Sequence, residues 1–381
     1  MKVLFFMNHA DKGGAALAYI ELIENLHKNY NVECVVYTGK NNLINERCSK
    51  QGIENYSASY RNFISSYHSP RFLWKFILCI RHFAGNYIAL KQIERQIDIA
   101  SFDLIYTNLD RIDIGAIISK KYSIPHIWHI REHLDTDFKV ISIYRDYVKY
   151  MKSFKSEFIA ISSSVKTAWV TRGFRSDEIR IIYDGVSINT IHKNLQKKDE
   201  RKLKILFLGG YCKEKGQLDF LNTVSQLDRR VLNRIELSFF GSNLKKTKSN
   251  LEQFANEVGI RDIVSFNDYN KDIYFLIKEY DVGINYSIQE GFGRVTVEYM
   301  AAGLVPIVTN SGASKEIVEN NKSGIVIERN NIEQLNAALI TILDSQKRER
   351  LSKGAILRAS LFSMEIHSEN MYTLFNEELT R

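Results

Sequence analysis

The stretch "EGFGRVTVE" sets two carboxylates, Glu290 and Glu298, eight positions apart across a turn that holds Gly291 and Gly293. Carboxylates that accept hydrogen bonds from neighbouring hydroxyls suit a sugar and a ribose. Glycine lets the backbone approach a ligand closely, and the free N–H groups that open a helix near Arg294 suit a phosphate. The segment therefore predicts a phosphate seat with Glu290 before the turn and Glu298 about one helical turn past it, both facing one cleft. The bland alternative is a surface glutamate followed by one on a solvated helix face. Against it, Glu298 shares a helical face with Val295, Tyr299 and Ala302, a poor place for an idle carboxylate.

Such a loop needs a strand before it and a helix after it, and the chain supplies many such pairs. "KVLFFM", "VECVVYTG", "FDLIYTN", "IPHIWHI" and "EFIAIS" read as buried strands separated by amphipathic helical stretches. After the polar run "HKNLQKKDERK", which reads as a linker, a second set begins: "LKILFLGG", "IELSFFGS", "DIVSFND", "YDVGINYS", "VPIVTN" and "SGIVIE". The tail from Asn331 to Arg381 reads as helical throughout. The pattern predicts an α/β protein with two nucleotide-fold-like domains in tandem and a cleft between them. In open parallel sheets ligands collect at the carboxyl ends of the strands, so the loops there are the places to search.

At 381 residues the chain is comfortable for two domains, each with its own core. Four cysteines, Cys34, Cys48, Cys79 and Cys212, show no C-x-x-C spacing, which predicts neither a disulfide framework nor a zinc knuckle and fits a reducing cytoplasm. "MKVLFFMNHADKGG" carries too short an apolar run for a secretory leader and reads as a first strand. The net charge of +8 is unevenly placed: residues 1–195 hold 26 Lys and Arg against 19 Asp and Glu, and residues 196–381 hold 26 against 25. From Arg61 to Ile93 there are five basic residues, no acidic ones and many aromatics. That segment suits the surface of an anionic membrane, or equally a helical pair with a solvated basic face. Its run "FLWKFILCIRHFAGNYIAL" is broken by Lys75, Arg81 and His82, so it does not read as a transmembrane helix. No nucleic-acid motif accompanies the charge.

Other chemistries fail on motif grounds. "GFGRVT" lacks the third glycine and the following acidic residue of a dinucleotide site, and no G-x-x-x-x-G-K-[ST] phosphate loop is present. His126, His129 and His133 would share one face on a helix and could collect zinc there. The run "HIWHI" after Pro125 argues for a strand instead, which sends His126 and His129 to opposite faces. No metal is expected.

The E-x7-E pattern, followed by "AAGLVPIVTNSGASKEIV" and "NNKSGIVIE", resembles the retaining glycosyltransferases of family four, which have the two-Rossmann GT-B architecture. The resemblance runs along nearly the whole chain. "DKGGAALAYIELI" looks like the family's N-terminal glycine loop, "YDGVS" like the segment before its second domain, and "LGGYCKEKG" like its phosphate-binding loop. It implies an acceptor-binding domain over residues 1–195, a nucleotide-sugar-binding domain over 196–360, and a final helix over 361–381 that crosses back to the first. It also implies metal-free transfer of a sugar, of hexosyltransferase type, from a nucleotide-diphosphate donor (UDP- or GDP-linked) with retention. By that resemblance Glu290 bonds donor-sugar hydroxyls, Glu298 the ribose, and N–H groups from Gly291 through Phe292 and Gly293 to Arg294 the diphosphate. Lys215 would neutralise the diphosphate, where an exposed loop lysine is the alternative. Gly13 and Gly14 would touch donor phosphate or acceptor, or else only make the turn. Tyr269 stands where the family contacts the nucleobase, or is an ordinary tyrosine.

Two positions depart from the pattern. The family arginine beside the lysine has its place at Gly210, next to Tyr211, so one phosphate cation is missing, and Arg294 is the candidate substitute. The family's cleft histidine falls by spacing on Arg131, with His129 two residues earlier and pointing the same way on a strand. His129 would orient acceptor or donor sugar, or simply be packed, and Arg131 would bind an anionic acceptor group. The sequence thus predicts a cytoplasmic glycosyltransferase, at the inner face of the membrane, that extends a saccharide such as a lipid-linked polysaccharide precursor. A sugar-nucleotide epimerase of the same fold and a catalytically weak binding protein are the alternatives.

Overall fold

A computed structural model describes residues 1–8, 13–66, 71–134, 140–188, 202–242, 245–270 and 273–381. Nearly all of the run read as a linker lies outside the described residues. The chain forms two compact units, the first from Met1–Gly185 with Met364–Arg381, the second from Val186–Ser363.

In the first unit the strands are β1 (Lys2–Met7), β2 (Glu33–Thr38), β3 (Glu54–Ser57), β4 (Ile64–Ser66), β5 (Leu104–Asn108), β6 (His126–Ile130), β7 (Val140–Ser142), β8 (Glu157–Ala160) and β9 (Ile179–Ile181). Seven make a parallel sheet in the order β3-β2-β1-β5-β6-β8-β9. Helices cover both faces, so central strands must be apolar at every position rather than at alternate ones. Val3 to Met7 of β1 accordingly have no exposed surface. β4 and β7 form a separate antiparallel ribbon. This ribbon, β3 and β9 are short or polar, and the apolar runs of the sequence did not mark them.

The last helix, Met364–Thr380, completes the core of this unit. Its Met371, Leu374 and Phe375 are fully buried in one cluster with Phe5, Ile23 and Tyr106. Tyr372 packs on Tyr30 with ring centroids 4.8 Å apart, and Arg180 donates to Glu377 over 2.7 Å.

The second unit carries β10 (Leu203–Leu208), β11 (Ile235–Gly241), β12 (Val264–Asp268), β13 (Val282–Asn285), β14 (Val305–Thr309) and β15 (Ile325–Ile327). They form one parallel sheet in the order β12-β11-β10-β13-β14-β15. Chain order reverses between β10 and β13, and at such a switch point the two adjacent loops diverge to opposite faces and leave a crevice. Both loops carry residues named above. The tail is helical over Ile332–Leu343 and Ser345–Ala359, with a short 3₁₀ turn before the last helix.

Candidate active site

The loop after β10 contributes Lys215 and the loop after β13 contributes Glu290, so the two sides of the switch point meet in one ion pair of 3.0 Å. Three donors converge on Glu290 Oε2: Lys215 Nζ at 3.0 Å, Ser287 Oγ at 2.9 Å and, more distantly, Asn285 Nδ2 at 3.4 Å. Among the described residues none donates to Oε1. Burial alone would push this carboxyl up. The Lys215 charge, with the hydrogen bonds from Lys215, Ser287 and Asn285, outweighs that and holds it below the usual carboxylate range. The result is an anchored carboxylate, its side chain 14% exposed, with one oxygen left to accept from a ligand hydroxyl.

The loop is fixed from three directions. Ile288 N donates to Glu214 O over 2.9 Å, tying it to the Lys215 loop. Gly216 adopts φ +75°, and a Cβ there would stand 2.2 Å from Tyr286 O. From the loop after β14, Ala313 N donates to Glu290 O over 2.8 Å, and Thr309 and Ser311 hydroxyls donate to Ser287 O. Gly312 presses so closely that a Cβ would lie 2.1 Å from Glu290 O. Sequence reasoning passed over Asn285, Ser287 and Gly312. The first two stand within five residues of Glu290 in "NYSIQEG", and Gly312 lies in the quoted "NSGASKE", so the signal was present but had no geometry attached.

The helix after the turn spans Arg294–Ala301, and Gly293, at φ +93°, caps it without any side-chain hydrogen bond. Its opening N–H groups carry the partial positive charge of a helix terminus. Thr296 accepts from Asn285 Nδ2 at 3.0 Å, which links the helix to the same network. Glu298 is buried four residues into this helix, on the strip with fully buried Tyr299 and Ala302 and half-buried Val295. Tyr299 fits against Gly283 of β13, where a Cβ would stand 2.2 Å from its ring, so helix and sheet are in near contact. Arg294 is buried. Phe292 packs edge-on against Phe362, ring centroids 5.8 Å apart.

The remaining second-unit candidates are less central. Gly210 accepts from Gln217 Nε2 at 2.8 Å, and its neighbour Tyr211 is a core residue bonded to Asn267 O. Tyr269, just past β12, is 62% exposed.

In the first unit Gly13, at φ +99°, opens the helix Gly14–Asn29, and both glycines are exposed. The loop residues 9–12 before them lie outside the described residues. His126 and His129 do fall on opposite faces of the sheet. His126 is bonded to Thr107 Oγ1 and Ser156 Oγ, and His129 Nδ1 to Tyr106 Oη. His129 has no exposed surface and its ring stacks 6.4 Å from that of His367 on the final helix. Burial, then the charge of Arg131 and the nearness of His367, hold it neutral. Arg131 is also buried, paired with Asp184 and donating to Asn108 Oδ1 at 3.3 Å. Asp110 Oδ1 accepts from Arg131 N, and burial with nearby Glu132 pushes the Asp110 carboxyl up to about 7. Among the described residues no group of three His, Cys, Asp or Glu side chains is arranged to hold a metal ion.

Residues 188–358 match the glycosyl transferases group 1 family. An uncharacterised glycosyltransferase of Methanocaldococcus jannaschii is 23% identical over 256 residues, 66% of this chain and 68% of that protein. The capsular polysaccharide biosynthesis glycosyltransferase CapH of Staphylococcus aureus is 19% identical over 324 residues, 83% of either chain. Among solved structures, Anabaena HepE in complex with UDP aligns with 99% of this chain and 100% of its own, at a TM-score of 0.79 and 19% identity. That likeness, with the two parallel sheets, gives the fold as GT-B.

Proposed function

We propose that this chain, GT-B in fold and matching the glycosyl transferases group 1 family over residues 188–358, moves a hexosyl group from a nucleotide-diphosphate sugar to a saccharide acceptor with retention of configuration. The observation that carries this reading is Glu290, held ionised through Oε2 at a topological switch point, with no donor to Oε1 among the described residues and beside it a helix N-terminus capped by no side chain. Glu290 Oε1 accepts from a donor-sugar hydroxyl. The opening N–H groups around Gly291 to Arg294 take the diphosphate, and Lys215 adds a positive charge as negative charge grows on the leaving group. Glu298 takes the ribose, and Tyr269, exposed just past β12, the base.

Retention by double displacement requires a carboxylate beneath the anomeric carbon to form a glycosyl-enzyme. Glu290 is already committed to a cation and two neutral donors, which makes it a better hydroxyl acceptor than nucleophile. The reading therefore takes same-face attack: the departing phosphate helps deprotonate the acceptor hydroxyl, and the protein orients the two and stabilises charge. No metal enters this scheme, since Lys215 and helix N–H groups supply the positive potential. The acceptor belongs to glycan assembly, and a lipid-linked precursor on the cytoplasmic face of a membrane is the substrate class it suits. The complexes of HepE with UDP and UDP-glucose support a UDP-linked donor, and CapH, which acts in capsular polysaccharide biosynthesis, supports a polysaccharide product.

The test is turnover of a panel of UDP- and GDP-sugars with oligosaccharide acceptors, in chelator, with the product's anomeric configuration read by NMR. Retained configuration without metal is expected. Inverted product, or turnover abolished by chelator, would overturn the mechanism, and interconversion of the donor sugar without an acceptor would point to epimerisation.

A further inference from the structure

The helix Arg71–Gln96 of the first unit is built inside out. The face turned to the protein carries polar groups: His82 lies 3.2 Å from Asp113, and Asn86 donates to Asp113 Oδ1 over 3.0 Å while accepting from Arg61 N. Among the described residues Ala89, Leu90 and Ile93 add the conventional apolar contact there. The outer face holds the large apolar side chains instead. Phe76, Ile77, Ile80, Phe83, Tyr87 and Ile88 are each between 43% and 65% exposed. Steps of three and four residues put Phe76, Ile80, Phe83 and Tyr87 in one row about 17 Å long, with Ile77 and Ile88 flanking it. A helix designed to rest in water would reverse this arrangement, and contiguous exposed apolar surface of this kind marks an interaction site.

Charge identifies the occupant. Exposed Arg81, Lys91 and Arg95 lie beside the apolar row, and no acidic residue occurs between Arg61 and Ile93. The first acid beyond, Glu94, is already engaged by Lys91 at 3.0 Å and by Lys121. A second copy of this face would bring like charges together. An anionic lipid surface meets both features at once: apolar side chains enter the acyl boundary, and long basic side chains reach back to the headgroups. No described helix is long and apolar enough to cross a membrane, so the helix would lie in the surface rather than span it.

We propose that the outer face of the helix Arg71–Gln96, through Phe76, Ile80, Phe83 and Tyr87 with Arg81 beside them, docks the protein on an anionic bilayer. The proposal goes beyond the glycosyl-transfer reading and does not depend on it, because its test uses neither donor nor acceptor. The full chain is floated with vesicles of phosphatidylcholine alone and of an equimolar mixture with phosphatidylglycerol. Binding to the mixed vesicles only is expected, weakening as salt rises. Phe76→Ser with Phe83→Ser should lower the partition coefficient at least about tenfold. Arg81→Glu, which removes no apolar surface, should lower it about fivefold or more. Both changes are at exposed positions, and unchanged thermal unfolding would exclude misfolding as the cause. The proposal is overturned by absence of binding to the mixed vesicles, by equal binding to both kinds, or by binding that survives the double variant. It is also overturned if Phe83→Ser instead converts a dimer in solution to a monomer, since the face would then be a contact between copies.

Discussion

Glu290 is a carboxylate whose two oxygens differ: one is committed to Lys215 and Ser287, and the other accepts no hydrogen bond among the described residues. Glu290→Gln keeps the shape and removes the charge, so kcat/KM should fall by about a hundredfold or more while thermal stability moves little, which steady-state kinetics and melting together will read. In the first unit, the buried histidines of β6 resist the protonation that an exposed histidine accepts on acidification. Burial lowers His126 from 6.5 to about 3. Between those values the unfolded chain binds a proton that the folded chain refuses, so stability falls as pH falls, by at most ~1.4 kcal/mol per pH unit. His129 acts with the same sign, and Asp110, pushed up to about 7, acts with the opposite one. His126→Gln should therefore flatten the acid side of the stability profile, measured by urea unfolding at a series of pH values, and an unchanged slope would refute the assignment. At this scale the sequence exposed residue types but not their surroundings. Glu290 and Lys215 are 75 positions apart, and only the order of β10 and β13 brings them together. His129 illustrates the converse: the resemblance drew attention to it as the neighbour of Arg131, and the His367 ring that stacks on it stands far along the chain on the last helix.

The elements that aim these side chains are loops at strand ends, pinned by glycines at close approach. Gly312→Ala would drive a Cβ into the Glu290 backbone at φ +53°, whereas Gly259→Ala, at φ +73°, would meet nothing within 4 Å. The second should cost only the left-handed backbone strain, about 1–2 kcal/mol. The first should cost more than that and also weaken donor binding, because the strand-end loop must shift. Melting temperature and donor affinity of both variants check this, and equal losses would contradict it. Strands with two covered faces were legible because burial demands continuous apolar runs such as "KVLFFM". β3, reading "ENYS", and the β4–β7 ribbon were not, because edges and ribbons are held by backbone pairing and bury too little to mark the sequence.

Across the whole molecule the chain leaves its first unit at Gly185 and returns to it at Met364. Met371, Leu374 and Phe375 then fill the core beside β1, so deletion of residues 364–381 removes three fully buried side chains worth roughly 1.5–3 kcal/mol each. That loss is comparable with the stability of a typical domain, about 5–15 kcal/mol. The truncated protein should be insoluble or melt far below the intact one, and a truncated protein of unchanged stability would contradict the assignment of this helix to the first core. The helical character of the tail was legible from composition, and its return to the first unit followed from resemblance rather than from any local signal. On the proposed reading the chain binds nucleotide sugars through Glu290 and Lys215. Calorimetry of the wild type, Glu290→Gln and Lys215→Ala against a panel of nucleotide sugars tests it most directly. One preferred donor should be bound by the wild type, and at least about tenfold more weakly by each variant. A donor bound equally by all three proteins, or no donor bound by the wild type, would contradict it.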